Sequence, residues 1–271
     1  MSSGLAKQYQ RKTDREHVLD NPDTYCGSME LTEYTTGLLH SNGDSISTRT
    51  VNIIPGLYKL FDEAIVNARD HYIRLKSQSD CQGLTYIDVE ISDSGIIRIK
   101  NDGPGIPVEK HPVYGMWIPE LIFANLRTSS NYNKSEKKRT GGKNGFGVKI
   151  LFIWSVWGKL ITVDSRQSLK YEQEYSDNLQ KVSVPKITRS AGKSYTQVEF
   201  KPDFERMGIS SFSPEMLAIL RRRVYDIAAT TDKNIKVYYN NNKIKVNNFK
   251  NYINMFYDES NVMFEEINDR W

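Results

Sequence analysis

The chain is expected to fold as α+β, a two-layer sandwich with helices packed on one face of a mixed, mainly antiparallel sheet. Three features predict this. A strong helical period runs over residues 57–75, a period-two hairpin follows at 86–100, and short strands after residue 160 are followed by one more helix near 214–230. Strands that alternate at period two, kept apart from amphipathic helices, bury their apolar faces most simply by stacking one layer on the other.

The first 28 residues show no long apolar period and read as an extended N-terminal arm. In the next segment Leu57, Leu60, Phe61, Ala64, Ile65 and Ala68 fall at i, i+3, i+4, i+7, i+8 and i+11, one apolar stripe of a helix. Tyr86–Ile91 alternates, turns at Ser92-Asp93-Ser94-Gly95, and continues through Ile96–Lys100 as an antiparallel hairpin. A helix is expected from about Pro119 to Leu126, and a buried helix over Val148–Trp157, which is apolar nearly all round. Between them, Thr128–Gly147 is polar, charged and aperiodic, the composition of a functional loop. Strands are expected at Leu160–Val163, Val198–Phe200, Ile235–Tyr239 and Lys243–Val246, with Asn240-Asn241-Asn242 as a hairpin turn.

Composition narrows the function. The 271 residues are 38% apolar and 26% charged, with a net charge of +4. This is a folded domain with a mild basic balance, which suits phosphate contact without the dense basic stripe of a dedicated DNA reader. No apolar run is long enough for a membrane-spanning helix, and the polar first twenty residues lack a signal-peptide pattern. Cys26 and Cys81 form no CxxC pair, which fits free thiols, and the four histidines stand at no zinc-ligand spacing.

Two kinds of residue pattern carry chemistry. On the first strong helix, Glu63, Asn67, Asp70 and Arg74 recur at i, i+4, i+7 and i+11, a polar stripe beside the apolar one. Taken alone, a solvated helix face looks the same. Two glycine-rich turns add to it. Asn101-Asp102-Gly103-Pro104-Gly105 allows backbone to approach a ligand. Gly141-Gly142-Lys143-Asn144-Gly145-Phe146-Gly147 ends where the buried helix begins, so backbone N–H groups with Lys143 and Lys149 nearby suit an anion. The Walker pattern fails, because Gly192-Lys193-Ser194 has Ile187 where the first glycine belongs. GxGxxG fails after Gly147.

In order, Phe61-Asp62-Glu63-Ala64-Ile65-Val66-Asn67-Ala68, Asn101–Pro107, Thr140–Gly147 and Tyr195-Thr196 resemble the Bergerat-type nucleotide fold shared by gyrase, ninety-kilodalton heat-shock chaperones, histidine kinases and MutL. Further stretches narrow the likeness. Tyr9–Thr13, His17–Leu19, Pro22–Ser28, Thr128–Tyr132 and Arg222–Ala228 are similar to the ATPase region of eukaryotic and viral-type DNA topoisomerase II.

This resemblance implies ATP and Mg²⁺ as cofactors. Glu63 would be the general base and Asn67 the magnesium ligand. Asn101 would meet the adenine edge, with Thr196 beneath it, and Ser129, Ser130 and Asn131 would hold the ribose and α-phosphate region. Lys143, Asn144, Gly145, Phe146, Gly147 and Lys149 would wrap the triphosphate, and Tyr9 would reach the partner subunit's nucleotide. It also implies an N-terminal arm over 1–28, an ATP-binding domain over 29–258 with a lid at about 128–147, and the start of a transducer domain at 259–271. On that reading the chain is the N-terminal piece of a longer enzyme, one that binds nucleotide but hydrolyses it slowly on its own. The implied partners are double-stranded DNA, met non-specifically, and a second copy recruited by ATP, with no membrane. The implied location is the nucleus or, for a viral enzyme, the host nucleus, a cytoplasmic factory or the virion. The alternatives are a chaperone- or MutL-like ATPase of the same superfamily, or a non-enzymatic DNA-binding module with a decayed pocket.

Overall fold

The fold is built around one long helix, here taken from a computed structural model that describes residues 12–76, 83–125, 147–257 and 263–265. Helices α1 (Asp14–Asp20) and α2 (Pro22–Tyr25) lead into a two-stranded antiparallel hairpin, β1 (Thr32–Leu39) with β2 (Ile46–Ile53). Helix α3 (Pro55–Lys76) follows, then β3 (Tyr86–Ile91) and β4 (Ile97–Asp102). Next come α4 (Ile118–Ala124), α5 (Gly147–Ile153), β5 (Ser155–Asp164) and β6 (Leu169–Ser176). β7 (Lys181–Val182), β8 (Lys186–Arg189), β9 (Tyr195–Pro202), α6 (Pro214–Ala229), β10 (Lys236–Tyr239), β11 (Asn242–Lys243) and α7 (Phe249–Ile253) complete the order.

The main sheet runs β11-β10-β3-β4-β9-β5-β6-β7, with β8 also paired to β6. Among the described residues its one parallel pair is β10 with β3, and the others are antiparallel. Helices α3, α5 and α6 cover one face, as the sequence predicts. The apolar stripe of α3 is the reason it lies there. Leu57, Leu60, Phe61 and Ile65 are wholly buried, each worth about 1.5–3 kcal/mol relative to exposure.

The structure corrects three expectations. The described part of the arm is helical, not extended: Thr13 and Glu16 form a reciprocal capping box that starts α1. The helix expected over Val148–Trp157 ends at Ile153, and Ser155 opens β5. An all-apolar run does not distinguish buried helix from buried strand. The strand expected at Lys243–Val246 pairs only through Asn242–Lys243. The turn before it is present, with Asn240 and Asn241 at φ 45° and 64°. Within the polar stripe of α3, Asp70 is buried. The β1–β2 hairpin, which sequence reading missed, packs on α6, where the Arg222 guanidinium donates to Thr36 Oγ1 and the Gly37 carbonyl. Among the described residues no helix is long and apolar enough to cross a membrane.

Candidate nucleotide site

Helix α3 carries the site's acidic and amide groups. The Asn67 amide nitrogen donates to the Glu63 backbone carbonyl at 2.6 Å, so the two residues stack on successive turns. That donation leaves Asn67 Oδ1 as the end of the amide suited to a hard cation. The Glu63 carboxylate is divided between two neighbours. Oε1 lies 2.8 Å from Lys59 Nζ. Oε2 fills the place where a side chain on Gly147 would start, since a Cβ built there falls 1.9 Å from it. The acidic residue of α3 therefore touches Gly147, the first residue of α5.

Lys59 is itself part of a ladder. Its ammonium also approaches Asp62 at 3.4 Å, and Asp62 accepts from Arg223 of α6 at 2.7 Å. Burial lowers the Lys59 pKa, but its bonds to Glu63 and Asp62 outweigh that and raise it overall. A cavity of about 400 Å³ between α3 and α6 is lined by Lys59, Asp62, Glu63, Arg69, Asp70 and Arg223. Sequence reading missed Lys59, although its place four residues before Glu63 is a readable helical ion-pair signal.

The sheet supplies the other end. Asn101 of β4 pairs in register with Thr196 of β9, and Thr196 with Thr162 of β5. Neighbouring rows on the same face are apolar, Ile99–Val198–Leu160 among them. Polar side chains on a core-facing surface need partners, and these find them nearby: Thr162 Oγ1 lies 3.1 Å from Thr196 Oγ1, and the Asn101 amide nitrogen donates to the Asp102 carbonyl at 2.8 Å. The turn after Asn101 is pinned by close packing. A Cβ on Gly105 would lie 1.9 Å from the Val163 carbonyl oxygen, and the Ile106 N–H donates to Thr162 Oγ1 at 2.9 Å. His71 of α3 bonds the Pro104 carbonyl at 3.0 Å, and burial lowers its pKa. From Glu63 to His71 the helix rises about 12 Å, so the carboxylate and the turn that His71 holds lie about that far apart along α3.

Lys149 of α5 is buried, and desolvation pushes its ammonium down to about 8. The structure thus brings together Glu63, Asn67 and Gly147, and sets Asn101 beside Thr196 on neighbouring strands. Arg74 lies exposed at the end of α3. Tyr9, Ser129, Ser130, Asn131, Lys143, Asn144, Gly145 and Phe146 lie outside the described residues, as does most of the expected lid. Asp102, not singled out from sequence, accepts from the backbone N–H groups of Thr85 and Tyr86 at 2.8 and 3.0 Å and so fixes the start of β3. Cys26 is buried, and its thiol is pushed up to about 12, which makes it a poor nucleophile.

A mainly antiparallel sheet backed by helices, with a carboxylate on one helix packed against the first glycine of another and an amide one turn along, defines an ATPase class distinct from the P-loop and Rossmann folds. The chain belongs to the histidine kinase-, DNA gyrase B- and HSP90-like ATPase family, whose model matches residues 52–206. More particularly, it is 43% identical to DNA topoisomerase 2 of Candida glabrata over 237 residues, covering 87% of this chain and 16% of that protein. It is 39% identical to DNA topoisomerase 2 of Acanthamoeba polyphaga mimivirus over 88% of the chain and 18% of the relative. The solved ATPase and transducer domains of DNA topoisomerase II from Balamuthia mandrillaris superpose with a TM-score of 0.90 at 36% identity, over 97% of this chain and 66% of that one. The chain therefore spans about a sixth of the length of these curated relatives.

Proposed function

We propose that this chain is the ATP-binding and ATP-hydrolysing region of a type II DNA topoisomerase. The observation that carries the reading is the contact of Glu63 Oε2 with Gly147, with Asn67 one turn further along α3. The residues fit a magnesium nucleotide. Asn67 offers one neutral oxygen, which suits Mg²⁺ when substrate phosphates and water complete its shell. When bound, Mg²⁺ supplies charge neutralisation across the phosphates.

Each residue then has a task. Lys59 occupies Glu63 Oε1, which leaves Oε2 to accept the proton of the attacking water. The water oxygen bonds to the γ-phosphorus as the bond to the ADP oxygen breaks. Gly147 keeps the space beside Oε2 clear of a side chain. Lys149 meets the triphosphate with positive charge, together with Lys143, Asn144, Gly145 and Phe146. Asn101 and Thr196 read the base, and Ser129, Ser130 and Asn131 hold the ribose end.

At the level of the whole enzyme, triphosphate binding would favour a closed dimer in which Tyr9 of each arm reaches the partner's nucleotide. The closed pair would trap a DNA duplex through its phosphates. Eukaryotic and viral relatives alike support this reading, and a nuclear or, for a viral enzyme, a virus-associated location goes with it. Isothermal titration with a non-hydrolysable ATP analogue and Mg²⁺ is the direct test. Magnesium-dependent binding by wild type, retained in Glu63→Gln while hydrolysis is lost, is expected. No binding at millimolar analogue would overturn the proposal.

A further inference from the structure

A line of charged and polar groups runs from the site to α7, in the order Glu63, Lys59, Asp62, Arg223, Asp226 and Tyr252. Anion and cation alternate along it, and so do short and long contacts. Lys59 Nζ lies 2.8 Å from Glu63 Oε1 but 3.4 Å from Asp62 Oδ2. Arg223 Nε lies 2.7 Å from Asp62 Oδ1, whereas its Nη1 stands 3.5 Å from Asp226 Oδ2. Tyr252 of α7 donates its phenolic proton to Asp226 Oδ1. Each cation thus serves two carboxylates and favours one of them.

Competition accounts for the alternation. Asp226 already receives the Tyr252 proton, so it draws weakly on Arg223, and the guanidinium settles on Asp62. Asp62, satisfied by Arg223, draws weakly on Lys59, and the ammonium settles on Glu63. Burial and the Asp226 carboxylate raise the Tyr252 pKa, which keeps the phenol a donor. Without that proton every link shifts by one. Asp226 is mostly buried, and a buried acceptor short of a donor is costly, so it claims Arg223. Arg222, the neighbouring guanidinium, is held by Thr36 and Gly37. Asp62 then turns to Lys59. The ammonium has room to follow, because Lys59 is half-exposed and lines the cavity of about 400 Å³ between α3 and α6.

We propose that Tyr252, acting on Glu63 through this line, is a positioning residue for hydrolysis: by satisfying Asp226 it leaves Arg223 to Asp62 and Lys59 to Glu63 Oε1. This rests on the reading of Glu63 as the base. With Lys59 on Oε1, the other oxygen stays turned toward Gly147.

The first readout needs no nucleotide. A crystal structure of Tyr252→Phe is expected to show Arg223 drawn to Asp226, and Lys59 Nζ moved from Glu63 Oε1 to Asp62. The second is single-turnover ATP hydrolysis with Mg²⁺. Tyr252→Phe is expected to slow it about fivefold, the rate equivalent of one half-exposed ion pair, with ADP affinity unchanged. Removing the competing charge cancels the effect. In an Asp226→Asn background, and equally in a Lys59→Met background, adding Tyr252→Phe costs less than about twofold. A phenol that only braced α7 would cost the same in all three backgrounds, since the Asp226→Asn amide still accepts its proton. Arg223→Gln, which releases Asp62 directly, is expected to move Lys59 and slow hydrolysis in the same way. Lys59 still seated on Glu63 Oε1 in Tyr252→Phe, undiminished hydrolysis in that variant, or an equal cost in all three backgrounds would overturn the proposal. Undiminished hydrolysis in Glu63→Gln would instead overturn the base reading beneath it.

Discussion

Replacing Gly147 by Ala adds one methyl group to the first residue of α5, and that group has nowhere to go. Its position is 1.9 Å from Glu63 Oε2 and 2.7 Å from Cδ, while real Cβ contacts essentially never fall under 3.0 Å. The carboxylate must therefore retreat by about 1 Å or more, and a misplacement of that size costs on the order of 100-fold in rate, or about 2.7 kcal/mol of barrier. Stability should hardly change. The displaced group is the end of a flexible side chain that is 25% exposed, and its partner Lys59 is 41% exposed; such pairs contribute about 0–1 kcal/mol. Alanine in a helix recovers about 0.5–1 kcal/mol relative to glycine. The expected outcome is a melting temperature within about 4 °C of wild type, nucleotide affinity within about fivefold, and single-turnover hydrolysis slowed about 100-fold. Rapid-mix single-turnover assays beside calorimetric titration would measure all three. Hydrolysis within about threefold of wild type would refute the idea that the Glu63–Gly147 contact positions the base.

Glu63→Gln should bind ATP analogues as wild type does and lose nearly all hydrolysis; undiminished turnover would remove Glu63 from the mechanism. Gly105→Ala should weaken both fold and binding, because its Cβ would meet backbone, the Val163 carbonyl at 1.9 Å, and not a movable side chain. A lower melting temperature and reduced ADP affinity together are expected, and wild-type values for both would contradict the packing argument. Lys149, held near 8 by burial against 10.5 for a free lysine, gives two opposite pH trends. Between about 8 and 10.5 the unfolded chain binds the extra proton, so this group's contribution to stability rises with pH. ADP affinity falls over pH 7 to 9 as the ammonium is lost. Lys149→Met should flatten both trends in titrations and melts across that range, and equal slopes in variant and wild type would remove Lys149 from the phosphate site.

Much of this was readable in the chain before any coordinates. The apolar stripe of α3, the β3–β4 alternation and the glycine turns report local periods of 3.6 and 2 and local backbone freedom, which neighbouring residues alone impose. The i, i+4 relation of Glu63 to Asn67 follows from helix geometry, and motif order identified the ATPase family. The tertiary structure decided what depends on residues far apart in sequence. It ended the helix at Ile153 within the apolar run and sent Ser155 into the sheet, because β9 offered a ladder there. It seated the β1–β2 hairpin on α6 through Arg222. It lined up Asn101, Thr196 and Thr162 from three strands. Register between strands and contact between a helix and a distant glycine are set by the packing of the whole core, and no local pattern encodes them.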